Sequence, residues 1–138
     1  MNSGNPGSAG IDRAGHWLAV AGRALLGLYF ILPGIMKITG YAGTSEYMAA
    51  HGVPMIAVLL PLTIVLQIGG GLSLVSGFWA RPSAFVLAGL TLVISVFMHD
   101  FWQYEEGMER AHEMQNFIKN LAIMAGLMVV AGRPARAP

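Results

Sequence analysis

The sequence predicts an all-α fold: a four-helix transmembrane bundle with both termini in the cytoplasm. Three observations carry that reading. Only 11% of the 138 residues are charged and 55% are hydrophobic, and the mean hydropathy is +0.60. A soluble domain typically has about a quarter charged residues. Four apolar runs each approach the ~20 residues that a spanning helix needs. Lysine and arginine are unevenly divided between the ends of those runs. The length suits one domain. A net charge of +1 gives no reason to expect a nucleic-acid partner. Cysteine is absent, which excludes disulfides, thiolate metal sites and thiol catalysis.

Residues 1–14 read as a flexible tail rich in Gly, Ser, Asn and Pro, without the basic segment of a secretory signal. A membrane domain follows over residues 15–132, and residues 133–138 form a second tail. The first span runs from about His16 to Met36. The loop after it, "GYAGTSEYMAAHGVP", holds a short interfacial helix over Ser45–Ala50, with Thr44 as its N-cap and Glu46 in the first turn. Tyr41 and Tyr47 suit the headgroup level. The second span runs from about Pro54 to Gly77 and the third from about Pro82 to Phe101, joined tightly by "FWARP". The fourth runs from about Met114 to Ala131. Pro33 and Pro61 fall within spans, where neighbours tolerate them. Gly69, Ser73 and Gly77 recur every four residues, a small-residue face for close helix approach.

Orientation follows the basic residues. Arg13, Arg81, Arg133 and Arg136 fall on the side of the termini, and Lys37 and Arg110 on the other. That bias puts both termini in the cytoplasm and the two longer loops outside.

The polar groups inside the spans define two layers. At 1.5 Å per residue, Arg23 lies roughly 10 Å from the inner end of span one and Gln67 about 10 Å from the inner end of span two. These two form the expected inner polar contact. The outer layer is a candidate binding pocket of Lys37, His99, His112, Gln115 and Lys119. His112, Gln115, Asn116 and Lys119 follow i, i+3, i+4, i+7, so they share one helix face. This stripe is expected to face inward, with Phe117, Ile118 and Leu121 pointing elsewhere. Charged residues within spans usually face a bundle interior, a cavity or a partner. A plainer reading stands beside each: Arg23 and Lys119 can snorkel to headgroups, and His99 and His112 can be ordinary interfacial histidines. His16 and His51 read as incidental. Glu105, Glu106 and Glu109 read as a solvated loop face.

His99, Asp100, His112 and Glu113 offer imidazole and carboxylate donors, but no tight ligand motif such as H-x-x-x-H occurs, and no metal is expected. No nucleophile motif, phosphate loop or dinucleotide fingerprint is present. A quinone fits the outer layer better. Its ring and tail need an apolar slot, and its two carbonyl oxygens need donors, which Lys37, His99, Gln115 and Lys119 supply.

Taken in order, "GRALLGLYFILPGIMKITGYAG" (22–43), "EYMAAHGVP" (46–54), "LQIGGGLSLVSGFWARPSAFVLAG" (66–89) and "HEMQNFIKNLAIMAGLMVV" (112–130) resemble the DoxX family of small four-helix membrane proteins. Arg23 matches the family's basic residue in the first span. Gly34 and Lys37 match its G-x-x-K, and Lys119 the lysine of its final span. Gln67 departs from the pattern, which often has an acid there, so a buried ion pair with Arg23 is replaced by a hydrogen bond at most. The resemblance implies a bacterial inner-membrane protein with a redox association, either a subunit of a quinone-linked oxidoreductase or a partner in handling oxidative or thiol stress.

The expected function is therefore a membrane subunit or partner of a redox system, with quinone as its cofactor. Expected partners are the lipid bilayer, a redox protein and, if the bundle oligomerises, a second copy. The rival reading is a non-enzymatic scaffold that docks another protein through its acidic outer loop. A small-molecule transporter is disfavoured, since four helices leave little room for a path.

Overall fold

The computed structural model describes residues 6–134. Within them the chain is all α-helical. Helix α1 spans Pro6–Thr39, α2 Tyr41–Ala50, α3 Ile56–Ser76, α4 Ala80–Met98 and α5 Met108–Ala131. A single 3₁₀ turn, Phe101–Gln103, lies between α4 and α5. Four helices, all but α2, are long and apolar enough to cross a membrane.

The boundaries depart from expectation in three places. Residues 6–14 are the first turns of α1 and not a flexible tail. Elongating an established helix is far easier than nucleating one, and Pro6 is tolerated in a first turn because its missing N–H would have no partner there. With 34 residues, α1 is about 50 Å long, roughly 20 Å more than a bilayer's hydrocarbon core. Residues 1–5 and 135–138, including Arg136, lie outside the described residues. Helix α2 begins at Tyr41, so Thr44 is inside it and donates its hydroxyl to the Gly40 carbonyl at 3.0 Å instead of capping. Helix α5 begins at Met108, where Glu109 in its first turn complements the helix dipole.

Helix α1 lies along α3, and α4 along α5; contact between α3 and α4 joins the pairs. The α1–α3 seam is a backbone approach. A Cβ added at Gly27 would stand 2.5 Å from the Gly71 carbonyl oxygen, and one at Gly71 would stand 2.6 Å from that of Gly27. Gly70 seats Leu87 of α4, while nothing lies within 4 Å of a Cβ at Gly69. The small-residue face is therefore Gly27 against Gly71 rather than Gly69–Ser73–Gly77. Successive residues turn by ~100° around a helix, so the run "GGG" presents three different faces, and only neighbours decide which one packs.

The apolar core gathers Phe30, Leu74, Ala84, Leu87 and Leu127 in the half of the bundle nearer the termini. Trp17, Leu25, Val65, Phe85 and Met128 are exposed on the helix surfaces, as lipid-facing residues should be.

Candidate functional site

The half nearer the α1–α2 and α4–α5 connections is built differently. A cleft of about 460 Å³ opens between α1, α2, α3 and the end of α4. Its walls are largely apolar, with Pro33, Met36, Met48, Leu60, Ile94 and Met98. Its polar groups are Lys37 from α1, Thr44 and Tyr47 from α2, Thr63 from α3 and His99 beyond α4. Helix α2 stays in place because Met48 is buried on its inner side and the Tyr47 hydroxyl reaches the Met98 carbonyl at 3.5 Å. Lys37 has no hydrogen bond or ion pair among the described residues, so its ammonium is available to a ligand.

His99, which lines the cleft, pairs with a carboxylate, and His51 lies beside Tyr47 near a second one. His99 Nδ1 lies 2.8 Å from Glu113 Oε2. A carboxylate accepts, so this nitrogen carries the hydrogen and Nε2 is left over. His51 Nδ1 lies 2.8 Å from the Tyr47 carbonyl, which likewise only accepts. His51 Nε2 is then an acceptor for the Tyr104 hydroxyl at 3.4 Å, and stands 3.7 Å from Asp100 Oδ1. That oxygen is buried without a hydrogen-bond partner among the described residues. The Tyr47 phenol is pushed above its ordinary pKa, first by burial and then by the charges of Glu113, Tyr104 and Asp100. Raised in this way, it stays neutral and able to donate at physiological pH.

Of the five residues expected in the outer pocket, Lys37 and His99 line the cleft. His112, Gln115 and Lys119 do share one face of α5, but that face is exposed. The inward face instead carries Glu113, Phe117, Asn120, Met124 and Leu127, of which Asn120 and Leu127 are buried. The stripe is thus rotated away from the bundle. The deciding contacts are apolar and aromatic: Phe117 stacks edge-on against Phe101 and Trp102, and Leu127 joins the core. The 4-3-4-3 spacing of 113, 117, 120, 124 and 127 was the signal for this face. Asn120 also accepts from the Tyr29 hydroxyl at 3.2 Å, tying α1 to α5. His51, which reads as incidental in the sequence, instead meets Tyr47, Tyr104 and Asp100 beside the cleft. Its i, i+4 relation to Tyr47 was the available hint.

The inner contact also differs. Arg23 Nε donates to the Leu74 carbonyl at 2.8 Å and not to Gln67, which lies two turns earlier in α3. Leu74 is among the last residues of α3, whose terminal carbonyls lack helical partners, so a cation is favoured there. Gln67 is buried, and its Oε1 has no hydrogen-bond partner. Arg81 repeats the device by donating to the Ala131 carbonyl at the end of α5, 3.2 Å away. Among the described residues, no three His, Asp or Glu side chains converge as metal ligands.

A bundle of four apolar helices, with a short helix after the first and a basic residue in that first helix's last turn, defines a small integral membrane protein. The DoxX family model matches residues 18–100, and the chain belongs to this family. It is 42% identical over 109 residues to the inner membrane protein YqjF of Escherichia coli K12, covering 79% of this chain and 78% of that one. It is 32% identical over 114 residues to the inner membrane protein YphA of the same organism, covering 83% and 81%. No solved structure gives a significant match. The protein is accordingly a multi-pass inner-membrane protein.

Proposed function

We propose that the protein is a membrane subunit or partner of a quinone-linked oxidoreductase, and that the outer cleft holds the quinone head group. The unpartnered Lys37 ammonium, set in an apolar cleft with His99, carries this reading. Sites for small cofactors are mostly apolar concavities with a few placed polar groups, and this cleft fits a ring with two carbonyl oxygens. Lys37 donates to one carbonyl, and His99, oriented by Glu113, donates to the other from Nε2 when its ring carries both hydrogens. Thr63, whose hydroxyl makes no hydrogen bond among the described residues, adds a hydroxyl donor. The group would supply two-electron, two-proton carrier chemistry, with electrons from a partner oxidoreductase. The chain's own share is to bind the ring, exclude water with α2, and hold a proton on the His99–Glu113 pair. The basic bias, with Arg13, Arg81 and Arg133 on one side against Lys37 and Arg110 on the other, supports cytoplasmic termini and an outer cleft.

The test is solvent extraction of the purified protein, with quinone quantified. Near-stoichiometric quinone is expected in the wild type and a loss of at least fivefold in His99→Ala. A wild type without quinone sinks the reading.

A scaffold role keeps one specific observation: Glu105, Glu106 and Glu109 are exposed and form no ion pair among the described residues. A crosslinked protein partner lost when all three become Gln would favour it.

A further inference from the structure

The inner end holds a second, separate construction. Arg23, Arg81 and Arg133 line one concavity of about 320 Å³, together with Trp79. None of the three has an acidic partner among the described residues. Arg23 and Arg81 each direct Nε to a helix-end carbonyl. A guanidinium has five N–H donors, so most remain for a ligand. Arg133 adds a third cation with no side-chain bond of its own among the described residues. Three uncompensated guanidiniums around one hollow call for an anion with several acceptor oxygens, and phosphate suits their planar, forked geometry.

A second hollow of about 340 Å³ adjoins the first and shares Trp79 and Pro82 with it. This one is apolar, running between α3 and α4 past Val65, Leu66, Gly69 and Val86. Gly69 leaves its floor open, since nothing lies within 4 Å of a Cβ there. Trp79 stands at the junction in a left-handed backbone conformation, φ 55°, which is unusual for a bulky residue. A free phosphate would use only the first hollow. A headgroup phosphate with an acyl chain attached uses both.

We propose that the Arg23–Arg81–Arg133 hollow and the adjoining α3–α4 groove form a site for one anionic phospholipid, its phosphate on the arginines and an acyl chain in the groove past Gly69. Basic pockets between membrane helices are suited to such headgroups. The site lies at the opposite end from the cleft and does not depend on the quinone reading.

The test equilibrates the full chain with vesicles of equal parts phosphatidylglycerol and phosphatidylcholine, then counts retained lipid by native mass spectrometry. Phosphatidylglycerol should be retained over phosphatidylcholine by roughly tenfold or more. Arg133→Gln, which breaks no side-chain bond among the described residues, should lower that preference severalfold, and Arg81→Gln with Arg133→Gln should abolish it. Gly69→Leu should reduce bound lipid at unchanged thermal stability. Millimolar inorganic phosphate should leave the lipid in place. Equal retention of the two lipids, wild-type preference in the double variant, undiminished lipid in Gly69→Leu, or displacement by inorganic phosphate would each overturn the proposal.

Discussion

The two halves of this bundle solve the membrane problem in different ways. Toward the termini, helices meet backbone to backbone at Gly27 and Gly71, and an apolar cluster packs between them. Two of the cations at that end, Arg23 and Arg81, sit on helix-end carbonyls and balance the negative ends of α3 and α5. Toward the loops, α2 covers an open cleft, and the rim is a mesh of histidine, tyrosine and carboxylate. Buried Thr91 and Ser95 satisfy themselves there on the carbonyls four residues back, each at 2.7 Å. Van der Waals packing drives helix association in lipid, and the Gly27–Gly71 seam and the core cluster concentrate it in the half nearer the termini.

The sharpest way to break this contrast is inside the "GGG" run. Gly71→Leu forces side-chain atoms against the Gly27 carbonyl, which lies 2.6 Å from a mere Cβ. Overpacking of this severity costs roughly 3 kcal/mol or more, and little folded protein should be recovered. Gly69→Leu, with empty space around its Cβ, should leave thermal unfolding in detergent unchanged. Equal losses for both would mean that the seam lies elsewhere.

Next in size is Arg23→Gln. It removes a charge-assisted bond to the Leu74 carbonyl, a loss of about 1–2 kcal/mol for a half-buried group. Unfolding curves should shift while quinone content stays at the wild-type level. A loss of quinone without a loss of stability would couple the two halves.

The smallest effect expected is a pH dependence confined to the outer half. The Tyr47 pKa is raised in the folded state, by burial first and then by neighbouring charge. Folding therefore favours the protonated phenol. That stability is fully present below the ordinary tyrosine pKa of ~10 and is lost as pH rises through the higher folded value. Proteolysis near α2 should increase only in that alkaline range, and Tyr47→Phe should remove the increase. An increase beginning near neutrality would point to a different group.

Much of this was legible in the sequence. Spans of about 20 apolar residues announce themselves, and the placement of Lys37 and His99 at one end of the bundle follows from counting along helices. Rotation was legible only through the faint 4-3-4-3 row of 113, 117, 120, 124 and 127. Residues 112, 113, 115, 116, 119 and 120 are all polar, so the start of α5 offers polar groups on nearly every face. The packing of Phe117 on Phe101 and Trp102, with Leu127 in the core, selects Glu113 and Asn120 for the inside. The same ambiguity hid Gly71 among its neighbours. The rim network was out of reach for another reason: His51 meets Asp100 and Tyr104 across about 50 residues of chain, and no local pattern records that.

Two lysines with similar sequence credentials now have opposite placements. Lys37 lines the cleft, and Lys119 lies on the exposed face of α5. The most direct measurement is the quinone content of purified Lys37→Ala and Lys119→Ala beside the wild type. The account predicts a loss of tenfold or more in Lys37→Ala and an unchanged content in Lys119→Ala. A loss in Lys119→Ala with Lys37→Ala at the wild-type level would contradict it.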